Sequence, residues 1–565
     1  MPSAFTYPGV YVEEIPSGVH TITGVATSIT AFIGAAETGP IGQTLTINSF
    51  ADFERIFGGL WLKSNLGFAV RDFFLNGGAQ AVIVRLFHGE TDPAAAQKIT
   101  VGALKFIAAS PGKWGANLRV TIDTSNLTDD IAASLGVTKA DLFNLTVRDS
   151  SPGGAGESFG NLTVKDSARR VDKVLTGGSS LLRYDGVPNA GAAIAAGTDA
   201  LGALEVTLAT AQKALSDKLN ADPSANVAAE KAARDGAKTA LDAAVLAAST
   251  ALLEGVPLAS ADFLPANGQL NKKGLYALEQ ADLFNLLCIP PYRASTDALD
   301  VDVNLVSVAA AYCETRRAML IVDAPKDWIS KDVAKTRFND PASDNVGTKS
   351  RNAALFFPRL KQPNPLHNNQ MEIFAACGTV AGIFARTDTQ RGVWKAPAGL
   401  DASLVGTPAL GVLLTDAENG ELNPLGINCL RSFPAAGRVV WGARTLRGND
   451  QLADEYKYIP VRRTALFIEE SLYRGLQWAV FEPNDEPLWG QIRLNAGSFM
   501  QNLFRQGAFE GSSAKDAYFV KCDKDTTTQN DINLGIVNVV VGFAPLKPAE
   551  FVVIKIQQMA GQLAV

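Results

Sequence analysis

Leu66 to Leu75 reads as a helix stopped at Gly77-Gly78, after which the chain resumes in the strand Ala81-Val82-Ile83-Val84-Arg85-Leu86. That strand is apolar in an unbroken run, so both of its faces need cover, which a sheet sandwiched between helices provides. The same pattern returns far downstream as strand Leu283 to Ile289, helix about Val301 to Thr315, and strand Met319 to Val322 ending in Asp323-Ala324-Pro325. A strand, a helix and a second strand in that order predict a parallel pair. Ahead of the first helix, Ser49 to Gly59 predicts another, capped by serine and closed by glycine. The fold class is α/β, with the core supplied in two parts, 21–90 and 262–390.

The stretch between these parts differs in kind. Residues 91–188 hold short β-like runs, Leu118 to Ile122 and Asn144 to Val147 among them, with the loop Ser151-Pro152-Gly153-Gly154-Ala155-Gly156 placed between them, and predict a β-rich insertion. Residues 189–261 are Ala-rich. Leu201, Leu204, Leu208, Ala211 and Leu215 recur at spacings of three and four, as do Leu241, Val245, Ala248 and Leu252 after Asp222-Pro223. This predicts an antiparallel helical hairpin that buries its own seam, a surface insertion in preference to a coiled partner-binding module. At 565 residues there is room for about three to five domains.

Downstream, the segment 391–548 predicts a helix from Arg462 to Val480. A longer helix follows, capped at Asn484-Asp485-Glu486-Pro487, carrying Leu488, Ile492, Phe499 and Leu503 and stopped at Gly507, and then strands Tyr518 to Cys522 and Ile536 to Val541. Strand-like runs sit in the first and last stretches, 1–20 and 549–565: Tyr7-Pro8-Gly9-Val10-Tyr11-Val12-Glu13-Glu14, and Phe551-Val552-Val553-Ile554-Lys555-Ile556 after Pro545 and Pro548. Neither has a partner nearby in sequence. Pro8 cannot donate to a ladder, so the first run is an edge strand, read most simply as an ordinary N-terminal one, or a strand added to a sheet from outside.

Composition narrows the function. The chain carries 51 basic and 57 acidic side chains, a net charge of −6, with no block of Lys or Arg, which argues against coating nucleic acid. Charged residues make up only 19% of the chain, a leanness expected of surface hidden in an assembly. No apolar run is long enough for a membrane span, and the first basic residue is Arg55, so the expectation is synthesis and folding in a cytoplasm without a charged leader or membrane insertion. The five cysteines, at 288, 313, 377, 429 and 522, have no metal or redox spacing and read as small buried hydrophobes. His20, His88 and His367 stand in no metal or nucleophile motif, and no phosphate-cradling glycine loop is present. No cofactor, metal or catalytic residue is therefore expected. Asp323, at a strand end where α/β sheets place ligands, reads as part of a capped turn. The interval Arg431 to Arg474, with eight basic residues, reads as a solvated helix face, and Trp394 and Trp441 read as anchors of a fold or a protein interface.

Several of these segments, taken in order, resemble the contractile tail sheath family. They are Tyr7 to Glu14, Arg386-Thr387-Asp388 through Arg391-Gly392-Val393-Trp394-Lys395-Ala396-Pro397-Ala398, Leu422-Asn423-Pro424-Leu425-Gly426-Ile427-Asn428, Trp441-Gly442-Ala443-Arg444-Thr445 and Phe481-Glu482-Pro483-Asn484-Asp485. The likeness covers roughly 1–90 and 280–565, and 91–261 falls where such sheaths carry variable outward insertions. The resemblance implies a structural subunit assembling with itself in helically stacked six-fold rings around an inner tube protein, with baseplate and terminal cap proteins as further partners. Contraction on a baseplate trigger would drive the tube through a target envelope. Assembly would be cytoplasmic, and the product a virion tail or a phage-tail-like injection particle. It further implies that the terminal arms, through Tyr7, Val10, Tyr11, Val12, Glu13 and Phe551 to Ile556, add strands to neighbouring subunits, and that Asp388, Arg391, Trp394, Asn423, Asn428, Trp441, Arg444, Asn484 and Asp485 are family-motif positions. The family's middle region has been likened in name to subtilisin, yet no Asp-His-Ser set stands here to support proteolysis. A static capsid-like or surface-layer protein is the alternative, since it too would be lean in charge and self-assembling.

Overall fold

The computed structural model describes residues 20–293, 300–340 and 346–555. Tyr7, Val10, Tyr11, Val12, Glu13 and Ile556 lie outside these residues. Both α/β stretches join a single sheet of eight strands: Thr30–Ala35 (β1), Thr44–Ile47 (β2), Ala81–Leu86 (β3), Leu286–Cys288 (β4), Met319–Asp323 (β5), Ala353–Phe357 (β6), Ile427–Phe433 (β7) and Gly437–Val440 (β8). Their order is β8-β7-β6-β5-β4-β1-β3-β2. The six from β7 to β3 run parallel, as the βαβ reading requires for β4 and β5, and an antiparallel strand closes each edge. The segment beyond residue 391 thus contributes two strands to the α/β core. β4 is three residues long, shorter than the apolar run from Leu283 to Ile289 suggests.

Helices cover both faces. Phe50–Phe57 (α1) starts at Ser49, whose side chain accepts from the Asp52 amide at 3.1 Å, and stops at Gly58 with φ 87°. Together with Leu66–Leu75 (α2) it packs Phe53, Phe57 and Phe73 under one face. On the other face, Leu305, Ala309 and Cys313 come from Val303–Thr315. The helix Cys377–Arg391 crosses α2 at short range through Gly378 and Gly382. A Cβ at Gly378 would sit 2.0 Å from the Ala69 carbonyl oxygen, and one at Gly382 would sit 2.5 Å from that of Phe73. Backbone cannot step aside as a side chain can, so Gly378→Ala should cost about 3 kcal/mol in urea unfolding. A loss below about 1 kcal/mol would mean that the two helices are free to separate.

Asp323 ends β5 as a half-buried residue whose Oδ2 is shut off from solvent. Its Oδ1 accepts from the Ala376 and Cys377 amides, both at 2.8 Å, so it caps the helix Cys377–Arg391 instead of forming a local turn. Burial pushes its carboxyl up from the ordinary value.

The insertion is β-rich and then helical. One sheet holds Lys98–Val101, Leu104–Ala108 and Leu182–Tyr184, and another holds Gly197–Thr198, Leu118–Asp123, Leu142–Asp149 and Gly156–Thr163. Phe106, Phe143, Val147 and Leu162 form a core of their own there. The glycine-rich loop at 151–156 joins the strands Leu142–Asp149 and Gly156–Thr163, one hairpin later than its sequence reading. The helices Ala200–Ala221 and Ala228–Ala251 pair as the spacing predicts, with Leu215 buried and Leu201, Leu204, Leu208 and Ala211 half-buried along the seam.

Three readings in the last third shift. The helix read as Arg462 to Val480 is Ile459–Gly475 (α3), with Pro460 in its first turn, and a separate short turn covers Gln477–Ala479. Glu486–Arg505 (α4) starts as expected, with Asp485 accepting from the Leu488 amide, and Gly507 follows it at φ 76°. Tyr518–Lys521 pairs with Val540–Phe543, so the second strand starts four residues later than the predicted Ile536 to Val541. The run from Phe551 to Lys555 is not a strand within this subunit.

Candidate functional site

Residues 20–29 carry no sequence period, and they lie along α3, which comes hundreds of residues later. His20 stacks on Trp478 with ring centroids 4.3 Å apart. A Cβ at Gly475 would meet Ile22 at 2.6 Å, which explains glycine at the end of α3. The Val25 amide donates to the Ser471 hydroxyl at 3.2 Å. At the other end of the helix, Arg463 donates to the Thr27 carbonyl at 2.8 Å while its fork grips both oxygens of Asp388, at 2.8 and 2.6 Å. The Arg463 and Asp388 side chains are each 4% exposed. The stretch that precedes β1 is thus held by a buried ion pair.

A second anchor is built from two of the motif positions, Asn428 and Arg444, and two residues the sequence reading missed, Glu550 and Tyr458. Asn428, on β7, donates to the carbonyls of Leu355 and Arg444 and accepts from the Arg444 amide at 2.7 Å. This ties Arg444 to β7 and β6, at the end of the sheet's parallel run. The Arg444 side chain, 1% exposed, then makes a two-pronged pair with Glu550, Nε to Oε1 at 2.8 Å and Nη2 to Oε2 at 2.6 Å. Tyr458, at the start of α3, donates its hydroxyl to the same carboxylate at 3.2 Å. Burial pushes the Glu550 carboxyl up, but the hydrogen bonds and charge of Arg444, with Tyr458 and Lys457, outweigh it and leave the group below its ordinary value. Beyond this pin, Phe551, Val552, Val553 and Ile554 are between 76% and 82% exposed.

Beside the pin opens a groove of about 750 Å³, lined by Arg391, Trp394, Asn423, Trp441, Gln506 and Leu546 to Phe551 among others. Four motif positions therefore face one cavity and two stand behind it. Trp394 leans on the cluster of Ile22 and Phe499, and Trp441 packs on Phe433 with ring centroids 4.5 Å apart. Asn484 and Asp485 are elsewhere, fixing the start of α4. The Asn484 amide donates to the Ile536 carbonyl, and its oxygen accepts from the Trp489 ring nitrogen at 2.9 Å.

The Arg431 to Arg474 interval is not a solvated face. Arg431, Arg444, Arg447, Lys457, Arg462, Arg463 and Arg474 each hold a carboxylate of the same subunit. Asp450, Asp454, Glu469 and Glu470 lie within the interval itself, whereas Asp388, Glu550 and Asp282, which pair with Arg463, Arg444 and Arg474, come from distant segments that local charge counting does not see. The pair Tyr518–Lys521 and Val540–Phe543 forms a two-stranded sheet with no third strand on either edge among the described residues, and Phe519 and Val540 stand exposed on it. Among the described residues no group of His, Cys, Asp and Glu could hold a metal ion, and no helix is long and apolar enough to cross a membrane. All five cysteines are free and buried.

Residues 265–446 match the phage tail sheath protein central domain, and residues 453–559 match the phage tail sheath C-terminal domain, together just over half of the chain. A tail sheath protein of Vibrio phage KVP40 is 26% identical over 161 residues, which is 28% of this chain and 23% of that protein. A putative prophage major tail sheath protein of Pseudomonas aeruginosa strain UCBPP-PA14 is 25% identical over 177 residues, 31% of this chain and 43% of that protein. These matches thus span less than half the length of either relative. The helical sheath of the anti-feeding prophage, solved in its contracted state, shares the fold: TM-score 0.53, 20% identity, 98% of this chain and 100% of that one covered. With its central and C-terminal domains both matched and its α/β architecture shared along nearly the whole length, the chain belongs to the phage tail sheath family.

Proposed function

We propose that this protein is the structural subunit of a contractile tail sheath. It polymerises in helically stacked six-fold rings around an inner tube and contracts to drive the tube through a target envelope. Its role is mechanical, with no catalytic step and no cofactor. Baseplate and cap proteins bound the lattice, and the particle is a phage tail or a phage-tail-like injection device assembled in a cytoplasm. The insertions 91–188 and 189–261 face outward from the lattice.

One observation carries this reading: an exposed apolar run, Phe551 to Ile554, leaves the subunit at the Arg444–Glu550 pin, while the same subunit offers a two-stranded sheet with no third strand on either edge among the described residues. An isolated hairpin is marginal by itself, and a third strand stabilises it. Two arms for two edges is the complement that strand addition between neighbours requires. Main-chain pairing of this kind can persist while the globular faces slide from one packing to another, and two packings a few kcal/mol apart suffice to store work in a long lattice.

Arm deletion tests the proposal. Removing residues 1–16, or everything from 551 onward, should leave a folded monomer of nearly unchanged melting temperature that no longer forms tubes in negative-stain images. A several-kcal/mol loss of monomer stability would place the arm in its own subunit. Tubes of the full chain with one helical pitch under every condition would point to a static lattice.

A further inference from the structure

The groove beside the Glu550 pin has an unbalanced charge. Arg391, Lys395 and Lys547 all line it, and the lining acid, Glu550, is already engaged by Arg444 and Tyr458. The nearest carboxylate to Arg391 is that of Asp401, 4.0 Å away and 89% exposed, while Arg391 itself is 60% exposed. The Lys395 ammonium rests on the carbonyls of Ala396 and Ala398. Burial, and then the neighbouring Arg391, hold it below its ordinary value. Lys547 is exposed and appears in no ion pair among the described residues. Two tryptophans, Trp394 and Trp441, supply flat apolar wall between these cations.

The chemistry that fits is an extended acidic segment with prolines or aromatic rings beside its carboxylates. Residues 1–19 have that composition. They contain no Lys or Arg, carry Glu13 and Glu14 side by side, and flank them with Tyr7, Pro8, Tyr11 and Pro16. Residues 556–565 contain no ionisable side chain, so they do not answer the charge. The groove also adjoins the open hairpin. Pro545, just past the strand Val540–Phe543, bridges Phe509, and Leu546 already lines the cavity.

We propose that this groove receives Glu13 and Glu14 of a neighbouring copy, with Arg391 and Lys547 pairing to them and Trp394 and Trp441 packing the flanking residues. The inference rests on the reading that the arms link subunits, and makes one arm's seat specific. The groove then selects the acidic arm over the C-terminal one, whose charged side chain beyond Glu550 is Lys555, so two arms of similar strand character are not exchanged.

Charge reversal tests it. R391E/K547E alters two rim side chains, so the monomer should melt as before, while the protein concentration needed for tubes should rise on the order of tenfold or more. Adding E13K/E14K to the same chain should restore assembly. R391E/K547E and E13K/E14K chains should each fail alone and form tubes when mixed, because each then supplies what the other's groove or arm needs. Normal assembly of R391E/K547E, or no restoration by the four-fold charge swap, would overturn the proposal. Restoration within one chain without rescue on mixing would seat the arm in its own subunit, and would also overturn it. Deletion of residues 1–16 separates the two levels. Tubes that persist without the arm sink the linking reading, whereas tubes lost on deletion but kept in R391E/K547E sink the groove alone.

Discussion

Asp388→Ala should cost about 3–5 kcal/mol of subunit stability in urea unfolding, among the largest single-site losses in the chain. The change leaves the Arg463 guanidinium buried with the Thr27 carbonyl as its remaining partner at this site. Neither side chain is more than 4% exposed, so water cannot take the place of the carboxylate. Asp388→Asn keeps the shape and one acceptor oxygen, and should recover part of the loss. Amide exchange across residues 22–27 should rise in the alanine variant, since the buried pair is what holds that stretch against α3. A loss under about 1 kcal/mol, or unchanged exchange at Val25, would mean the segment is held by its apolar contacts alone.

Arg444→Met should cost a similar amount, about 3–5 kcal/mol at neutral pH, and the penalty should depend on acidity. The Glu550 carboxyl lies below its ordinary value of 4.5 in the folded subunit. The folded state therefore favours the charged form. The stabilisation is complete above that ordinary value and disappears as the pH falls through the depressed folded one. The gap between the parent protein and Arg444→Met should accordingly be wide at pH 7, begin to narrow as the pH falls below 4.5, and close only below the depressed folded value, where both carry a neutral Glu550. Urea midpoints collected over that range decide the matter. A gap that stays constant into acid would show that Arg444 stabilises by filling space and by its bonds to Gly448 and Asp450, with Glu550 a bystander.

Legibility in the sequence followed the range of the interaction. The helix α1, with Ser49 and Gly58 at its ends, the helix α2, the strand β3 and the start of α4 at Asp485 are all set by residues within a few positions of one another. The seam of the Ala-rich hairpin was likewise written in spacing. The roots of the arms were not, because their contacts are long: Thr27 meets Arg463, Asp388 meets Arg463, and Arg444 meets Glu550, pairs 436, 75 and 106 residues apart. A count of charges along Arg431 to Arg474 sees surplus cations where the fold sees matched pairs. The residues of 20–29 gave no signal of any kind, since an extended segment lying on a helix needs only small gaps, such as Gly475 against Ile22, in its host. The family resemblance supplied Arg444 and Asp388 by motif, and geometry then supplied what each of them holds.

The helix α3 takes hold of Glu550 at Tyr458 and of Thr27 at Arg463. Five helical residues rise roughly 7 Å, so attachments at opposite ends of the chain are separated by little more than one turn of one helix. On the proposal that the arms join neighbours, a tug delivered to either end would enter the subunit at nearly the same place and leave it there. The long middle of the protein, the inserted sheets and the Ala-rich hairpin included, hangs beside that path like cargo beside a coupling bar. On the same proposal, lengthening or trimming such cargo would change the outside of the particle and leave what passes from one neighbour to the next as it was.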